Sequence, residues 1–287
     1  MTDALAGALD GVRVVALVTN VPGPLAAAAL HAMGASVLKI EPIHGDALET
    51  PAPRWYREIV AGIEVVRWDL REEPARQALR DALRDADLLL TTMRAAALER
   101  LGLGWPSLHA RYPRLVHVAI VGEASPHDDR AGHDLTYQAR AGLLSPPAMP
   151  RTVVADLAAA ERAVSSALAA LLARERGSQG MRVEVAIVDA ARAFAAPLRH
   201  GLTAPGGPLG GGLDTYRLYR ASDGWIAVAA LETHFIARLQ ELLDLERLDE
   251  ASLSRAFAQR SAAHWQALAD ELDVPLAAIP AESGGAP

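Results

Sequence analysis

Short runs of β-branched and apolar residues alternate with longer helix-like segments, and this alternation restricts the fold more than any other feature of the chain. The runs read VRVVALV, ASVLKIE, DLLLTT, PRLVHVAIVG and MRVEVAIVD. Continuous apolar runs of this length are typical of strands that are buried on both faces. Because helix-like segments separate them, the sequence predicts a parallel sheet covered by helices, and therefore an α/β fold.

A glycine- and proline-rich stretch, TAPGGPLGGGLD, interrupts this pattern and predicts a linker or a flexible binding loop. The segment behind it, TYRLYRASDGWIAVAAL, predicts a hairpin with its tight turn at residues 222–224. Short helices are expected to follow, up to Asp273. We therefore expect a large domain over residues 1–200, a linker over 201–213 and a small α+β domain over 214–287.

Composition and charge exclude several classes of partner and chemistry. A net charge of -7, without basic runs, argues against nucleic acid and anionic membranes. The absence of cysteine excludes disulfides, thiolate nucleophiles and cysteine-ligated zinc. The start, MTDALAGALDGVRVV, lacks the layout of a signal peptide, and LAAAERAVSSALAALLA is too short and too polar to span a bilayer. We expect a cytoplasmic protein without a metal site or a permanently bound cofactor.

Two motifs contain residues suited to proton transfer. In RAGHDLTYQARAGLL, His133 is a candidate because a histidine titrates near neutral pH, although such a residue alone is more often a turn or surface histidine. In VVADLAAAE, Asp156 is either a helix N-cap or a functional carboxylate, or both. Asp134 is expected to close its turn through backbone hydrogen bonds.

Eight segments in the same order as in a known family give the strongest signal. The chain resembles the family III CoA-transferases (CaiB/BaiF type), most closely their α-methylacyl-CoA racemase branch. The segments are LDGVRVVALVTNVPGP, GASVLKIEPIHGD, ADLLLTTMRAAALERLGLG, PRLVHVAIVG, AGHDLTYQARAGLL, VVADLAAAE, GGGLDTYRLYRASDGWIAVAALETHF and FAQRSAAHWQAL. The resemblance implies a Rossmann-like large domain, a smaller domain, and an interlocked homodimer that binds acyl-CoA between domains of different subunits.

The resemblance also assigns roles to individual residues. In the racemase branch, the residues matching His133 and Asp156 are the two proton carriers, and the glutamate matching Glu232 supports the aspartate. In the transferase branch, the aspartate matching Asp156 is a nucleophile that accepts an acyl group. The substrate implied is a coenzyme A thioester. Its CoA part is expected to contact Arg94 and the loop at the end of the first strand, Pro22, Gly23 and Pro24.

The chemistry of a racemase explains why such residues are needed. Inverting the carbon next to a thioester carbonyl requires one group to remove a proton and another to return one on the opposite face. Repulsion between Asp156 and Glu232 would raise one carboxyl pKa toward neutrality. The helix expected to start at Asp156 would offer unpaired N–H groups to the enolate oxygen.

Several segments depart from the family pattern. The loop before GHD reads VGEASPHDD, Arg67 is the only base within residues 59–68, and alanines replace the small glycines after Asp156. The family's C-terminal segment is expected to be missing after Pro287. The sequence therefore leaves three functions open: a racemase-like enzyme acting on a 2-methylacyl-CoA, a CoA-transferase using an aspartyl nucleophile, and a non-catalytic acyl-CoA-binding or dimer-partner paralogue.

Overall fold

The computed structural model describes residues 5–127 and 130–280, and the chain divides into two compact units. The first unit comprises residues 1–195 and the second comprises residues 196–287. The division thus comes five residues before the predicted end of the large domain at residue 200. The glycine-rich stretch that was predicted to be a linker lies wholly inside the second unit.

A six-stranded sheet forms the centre of the first unit, with every neighbouring pair of strands parallel. The strands lie in the order β3-β2-β1-β4-β5-β6, which is the order of doubly wound nucleotide-binding folds. The predicted Rossmann-like α/β fold is therefore confirmed. The strands are β1 (Arg13–Leu17), β2 (Ser36–Glu41), β3 (Glu64–Arg67), β4 (Leu88–Thr91), β5 (Val116–Val121) and β6 (Arg182–Ala186).

Helices cover both faces of this sheet, and its central strands are correspondingly rich in apolar residues. On one face α1, α7 and α8 pack on Val14, Leu88 and Val118; on the other, the cluster around Leu79, Leu83 and Leu108 packs on alternate strand residues. The helices of the unit are α1 (Pro22–Ala32), α2 (Pro53–Ile59), α3 (Glu73–Arg84), α4 (Ala95–Arg100), α5 (Trp105–Arg111), α6 (Asp134–Ala141), α7 (Val154–Glu175) and α8 (Ile187–Phe194).

Two details of the sheet differ from the sequence pattern. Strand β3 was not predicted, because charged Glu64 and Arg67 flank only two valines; its pairing with β2 creates the strand. The run MRVEVAIVD was predicted to be all strand, but the chain turns into α8 at Ile187. In both places, packing against the neighbouring element overrides the local pattern.

The second unit contains a three-stranded antiparallel sheet in the order β7-β8-β9. The predicted hairpin is confirmed, with Ala221 N–H donating to the carbonyl of Gly224 at 3.0 Å. The third strand, which was not predicted, pairs with β8. The elements are α9 (Ala196–Arg199), β7 (Tyr216–Arg220), β8 (Trp225–Ala229), α10 (Thr233–Leu243), α11 (Glu250–Phe257), α12 (Ala262–Leu272) and β9 (Leu276–Ile279).

The glycine-rich stretch, predicted to be a linker or a flexible binding loop, forms tight turns over Pro208–Gly212, with non-helical backbone angles at Gly210 and Gly211. Its backbone folds on itself, with Gly206 N–H donating to the Gly210 carbonyl and Leu209 N–H to the Leu202 carbonyl. A Cβ atom at Gly210 would come within 1.9 Å of the Ala204 carbonyl oxygen. The glycines are therefore explained by close approach of one backbone segment to another.

No helix within residues 5–127 and 130–280 is long and apolar enough to cross a membrane. In the same ranges, no cluster of three or more His, Asp or Glu residues is arranged to hold a metal ion.

Candidate active site

A cleft of about 580 Å³ opens at the carboxyl edge of the six-stranded sheet. Residues that follow β1, β4 and β5 line it, together with the first residues of α6, α7 and α8. The strand order reverses between β1 and β4, and open α/β sheets bind ligands outside the carboxyl ends of their strands at such a reversal. The volume suits a small-molecule substrate.

His133 is the residue immediately before α6 and lines the cleft, with its side chain exposed. Its N–H donates to Thr136 Oγ1 at 3.1 Å, and its carbonyl accepts from Thr136 N–H at 2.8 Å. These bonds fix the backbone at the start of the helix and leave the imidazole available to the cleft. The structure therefore gives His133 access to a bound substrate.

Asp156 lies in the first turn of α7 and lines the same cleft. Burial raises the pKa of its carboxyl group to about 7, with the neighbouring Asp134 carboxylate as the second cause. No hydrogen bond or ion pair engages its carboxylate within the described residues. The group can therefore accept and release a proton near neutral pH.

Asp134 joins the two helices that present these candidates. Its Oδ1 accepts from the N–H groups of Ala155 at 2.8 Å and Asp156 at 3.1 Å, and its Oδ2 accepts from Gln138 Nε2 at 2.5 Å. A residue of α6 thus caps the start of α7, with its side chain buried. The predicted structural role of Asp134 is confirmed, but the bonds extend to another helix rather than to its own turn.

Two expectations about the start of α7 were wrong. The helix begins at Val154, so Asp156 is its third residue and is not its N-cap. The N–H groups of Ala155 and Asp156, which were expected to be free for an enolate, bind Asp134. The start of α6 supplies the alternative, because the N–H groups of Asp134 and Leu135 have no acceptor among the described residues and both residues line the cleft.

Arg94 and Tyr137 bring a cation and a phenol to the cleft. Arg94 precedes α4 and is exposed in the cleft wall. The Tyr137 ring is buried, and its hydroxyl makes no hydrogen bond with any described residue. Burial and the Asp156 charge raise the pKa of Tyr137. A Cβ at Gly132 would come within 2.5 Å of this hydroxyl, so the glycine of the GHD motif makes room for Tyr137.

Of the loop predicted to contact CoA, only Pro22 lines the cleft. Gly23 and Pro24 are buried in α1. A Cβ at Gly23 would approach the Val18 and Thr92 side chains to 2.5 and 2.6 Å, so this glycine lets α1 pack closely against β1 and β4. Contact of these three residues with CoA remains a prediction.

Glu232 belongs to the second unit, where it precedes α10 and is exposed. It is not among the described residues of the cleft, all of which belong to the first unit. The charge that raises the pKa of Asp156 is that of Asp134, whereas the sequence predicted Glu232 for this effect. The supporting role of Glu232 stays a prediction.

A buried ionic cluster that was not predicted fixes the loop after β1, which lines the cleft. Lys39, the only lysine of the chain, is fully buried between Glu41 and Asp46. Asp46 Oδ1 accepts from Asn20 N–H at 2.8 Å, and Asn20, with φ of +68°, lines the cleft. The sequence feature that could have predicted this cluster is a single lysine, Lys39, inside an apolar strand.

A second cavity of about 940 Å³ lies beside the cleft at the ends of β1, β2 and β4, and Thr19 and Thr92 line both spaces. Apolar residues such as Ile40 and Trp68 cover most of its wall. Arg67, the expected base, is engaged by Glu49 at 2.5 Å and by Glu41 at 3.5 Å. The bases at this cavity come instead from α3, α4 and the segment before α3: Arg71, Arg76 and Arg100.

The sequence matches the model of CoA-transferase family III over residues 9–283. It is 33% identical over 201 residues to the probable fatty acyl-CoA transferase Rv3272 of Mycobacterium tuberculosis, covering 64% of this chain and 51% of that protein. It is 29% identical to the α-methylacyl-CoA racemase of Mus musculus, covering 90% of this chain and 68% of that protein. The matched region thus spans about half the length of the mycobacterial relative.

Two solved structures share the fold. The crystal structure of Rv3272 superposes with a TM-score of 0.81 at 27% identity, covering 95% of this chain and 83% of that chain. A CAIB/BAIF family protein from Brucella suis gives a TM-score of 0.80 at 24% identity, covering 95% and 84% respectively.

Proposed function

This chain belongs to CoA-transferase family III, and from that premise we propose that it is a racemase-like enzyme that moves the α-proton of a 2-methylacyl-CoA. The observation that carries the proposal is the cleft shared by His133 and Asp156. Two groups of different chemistry, both suited to proton transfer near neutral pH, line one small-molecule space. A CoA-transferase needs the aspartate but not the histidine.

The proposed reaction uses each group for one face of the α-carbon. For one enantiomer His133 removes the proton and Asp156 returns one from the opposite side; for the other enantiomer the roles exchange. Asp156 suits both directions, because a carboxyl group with a pKa of about 7 is populated in both protonation states near neutral pH. The N–H groups at the start of α6 would stabilise the enolate oxygen.

The CoA part of the substrate fits the remaining surfaces. Arg94 would contact a phosphate at the mouth of the cleft, and the adjoining cavity offers apolar walls with three arginines, Arg71, Arg76 and Arg100. Apolar walls suit an adenine ring, and guanidinium groups suit phosphates. In this proposal these arginines take the place of the bases missing from residues 59–68, although Arg71 and Arg76 also pair with Asp69 and Glu73 at 2.7 Å.

The second candidate is transfer of CoA through an acyl anhydride on Asp156. The names of several relatives favour it, among them the succinyl-CoA–D-citramalate CoA-transferase of Chloroflexus aurantiacus, which is 29% identical over 198 residues. The pKa of Asp156 does not separate the two reactions, because a carboxyl group with a pKa of about 7 is partly ionised at neutral pH and can also act as a nucleophile. We place the racemase-like reaction first because His133, which a transferase does not need, lines the same cleft.

Deuterium incorporation into R and S 2-methylacyl-CoA in heavy water, followed by mass spectrometry, tests the proposal. The wild-type protein should exchange the α-hydrogen of both enantiomers without an acceptor acid. The His133→Ala variant should lose exchange from one enantiomer and keep it from the other. The His200→Ala variant, which alters an exposed histidine of the second unit, should behave like the wild type.

The alternatives give different results in the same experiment. Passage of CoA to an added carboxylic acid, with no exchange and no effect of His133→Ala, would establish the transferase. Binding of acyl-CoA with neither exchange nor transfer would indicate that the protein is a non-catalytic paralogue.

We also propose that the protein is a homodimer and that Glu232 acts on Asp156 within that assembly. Glu232 is exposed in its own unit and is therefore free to meet another surface. Light scattering should give the mass of two chains. Exchange of the α-proton by a monomer would show that the reaction does not require a dimer and would contradict the proposed role of Glu232.

A further inference from the structure

A groove of about 630 Å³ lies at the opposite edge of the six-stranded sheet from the candidate active site. It is formed by the end of α3 and by the turn that joins α5 to β5. Ala86 and Leu115, which line it, precede β4 and β5, whereas the cleft lies where these strands end. The groove is therefore a separate site, and neither the predicted catalytic residues nor Arg94 belong to it.

Four arginines line this arginine groove: Arg80, Arg84, Arg111 and Arg114. No acidic residue is among the described residues that line it. Arg80 pairs with Glu73, and Arg84 pairs with Asp81 at 2.7 Å. Such local positive charge is unusual in a chain whose net charge is -7.

Arg111 and Arg114 have no hydrogen-bond or ion-pair partner for their guanidinium groups among the described residues. Carboxylates neutralise most other arginines of this unit, including Arg76, Arg140 and Arg174. Two adjacent unpaired cations in a concave surface leave a positive field that an anion would compensate.

The backbone that carries these arginines is fixed from both sides. Tyr112 hydroxyl donates to the Arg80 carbonyl at 3.0 Å and so ties the end of α5 to α3. Gly180 N–H donates to the Pro113 carbonyl at 2.8 Å, and Leu115 N–H to the Tyr112 carbonyl at 3.0 Å. Because the backbone is already ordered, anion binding would not require a loop to be ordered and would cost only the side-chain entropy of the arginines.

A smaller cavity of about 310 Å³ adjoins the arginine groove along α3 and shares Arg80, Arg111 and Tyr112 with it. Its other arginines, Arg76 and Arg100, also line the cavity assigned above to CoA, so they are not part of the arginine groove. Because Arg80 and Arg84 are spaced by four residues, they lie on one face of α3, about 6 Å apart along its axis. Together with Arg111 and Arg114, they suit a ligand with more than one anionic group.

We propose that the arginine groove binds a phosphoryl-bearing small molecule with two adjacent phosphoryl groups, at a site distinct from that of acyl-CoA. Because the chain has only one lysine, the presence of arginine and not lysine at these positions carries no information. The proposal rests on four arginines that line one groove, two of which have no hydrogen-bond or ion-pair partner among the described residues. Adjacent phosphoryl groups match several guanidinium donors at once, and the groove volume suits a ligand of nucleotide size.

Isothermal titration with inorganic pyrophosphate, on protein already saturated with CoA, tests the site. Saturation removes binding at the cleft and its adjoining cavity from the measurement. The wild type should bind one pyrophosphate per chain, and Arg111→Gln/Arg114→Gln should weaken binding about 10- to 100-fold, as expected for loss of charge-assisted hydrogen bonds. The matched control Arg162→Gln removes an exposed arginine of α7 outside the groove and should leave pyrophosphate binding unchanged.

The outcomes separate this inference from the proposed function. Unchanged CoA binding and melting temperature in the double variant, together with lost pyrophosphate binding, would support the groove. Arg94→Gln should weaken CoA binding and leave pyrophosphate binding intact. Absence of pyrophosphate binding in the wild type, or equal weakening by Arg162→Gln, would overturn the proposal, whatever the acyl-CoA experiments show.

Discussion

Two clusters of buried or half-buried ionisable groups lie in the same unit and differ in how their charges are compensated. In the ionic cluster around Lys39, each carboxylate faces the ammonium group, and Tyr56 hydroxyl donates to Glu41 Oε1 at 2.6 Å. In the cleft, no ion pair engages the Asp156 carboxylate among the described residues, and the charge that raises its pKa is that of another carboxylate, Asp134. The carboxylates of one cluster thus have a cation beside them, whereas that of Asp156 is left uncompensated.

This difference indicates a structural role for the first cluster and a catalytic role for the second. Compensated buried charges fix a backbone: Asp46 holds the N–H groups of Asn20 and Leu48, and so shapes a loop of the cleft. A buried carboxyl group without a neighbouring cation has a raised pKa instead. Groups in clefts whose pKa values are shifted in this way are candidates for catalysis. We therefore expect substitutions in the ionic cluster to change stability, and substitutions in the cleft to change activity.

The largest expected effect is on activity at Asp156. The Asp156→Asn variant should lose both α-proton exchange and any CoA transfer by about 10³- to 10⁴-fold, because an amide neither carries the proton nor forms an anhydride. Exchange and transfer rates under saturating acyl-CoA provide the measurement. Retention of half the wild-type rate would show that the uncompensated carboxyl group is not part of the chemistry.

The next effect is on stability in the ionic cluster. Lys39→Met should lower the free energy of unfolding by about 3–5 kcal/mol, because it leaves the Asp46 carboxylate buried without a cation and the buried Glu41 carboxylate with only the partly exposed Arg67. Urea denaturation measures this change. Arg54→Met is the matched control, since the exposed Arg54–Glu58 pair should contribute at most about 1 kcal/mol. Equal losses in both variants would contradict the comparison.

A third effect concerns pH and the uncompensated carboxyl group. The folded pKa of Asp156, about 7, lies above the value of 3.8 for an unperturbed aspartate. Between these values the folded state holds a proton that the unfolded state has released, so this group's contribution to stability falls as pH rises and is fully lost above the folded pKa. Its size is at most about 4 kcal/mol.

Asp156→Asn should therefore be more stable than the wild type at about pH 8, and the two should converge toward about pH 4. Urea denaturation at a series of pH values measures the difference. A difference that grows toward low pH would have the wrong sign and would contradict the raised pKa.

The smallest effect distinguishes two buried tyrosines. Tyr56→Phe should cost about 1.5–3 kcal/mol of stability, because the hydroxyl donates to the buried Glu41 carboxylate. Tyr137→Phe should change stability by less than about 0.5 kcal/mol, because its hydroxyl has no partner among the described residues. A large loss of stability on Tyr137→Phe would show that this hydroxyl is compensated after all.

The sequence alone determined the class of fold and pointed to a few residues of the cleft. Five of the six strands of the parallel sheet follow from short apolar runs, because burial on both faces demands such residues. The order of eight segments identified the family, and the GHD and AD motifs identified His133 and Asp156. The resemblance also pointed to Arg94 and Pro22, and both line the cleft because loops at strand ends meet at one edge in a parallel sheet.

Only the tertiary structure decided which buried charges and N–H groups have a bonding partner. Whether Asp134 closes its own turn or caps α7 depends on the position of a helix some twenty residues away, and that capping removed the N–H groups expected to serve the enolate. The arginine groove likewise combines α3 with the turn after α5, segments that show no relation in sequence. Charge compensation acts over a few ångströms in space, and a residue pattern along the chain does not contain those distances.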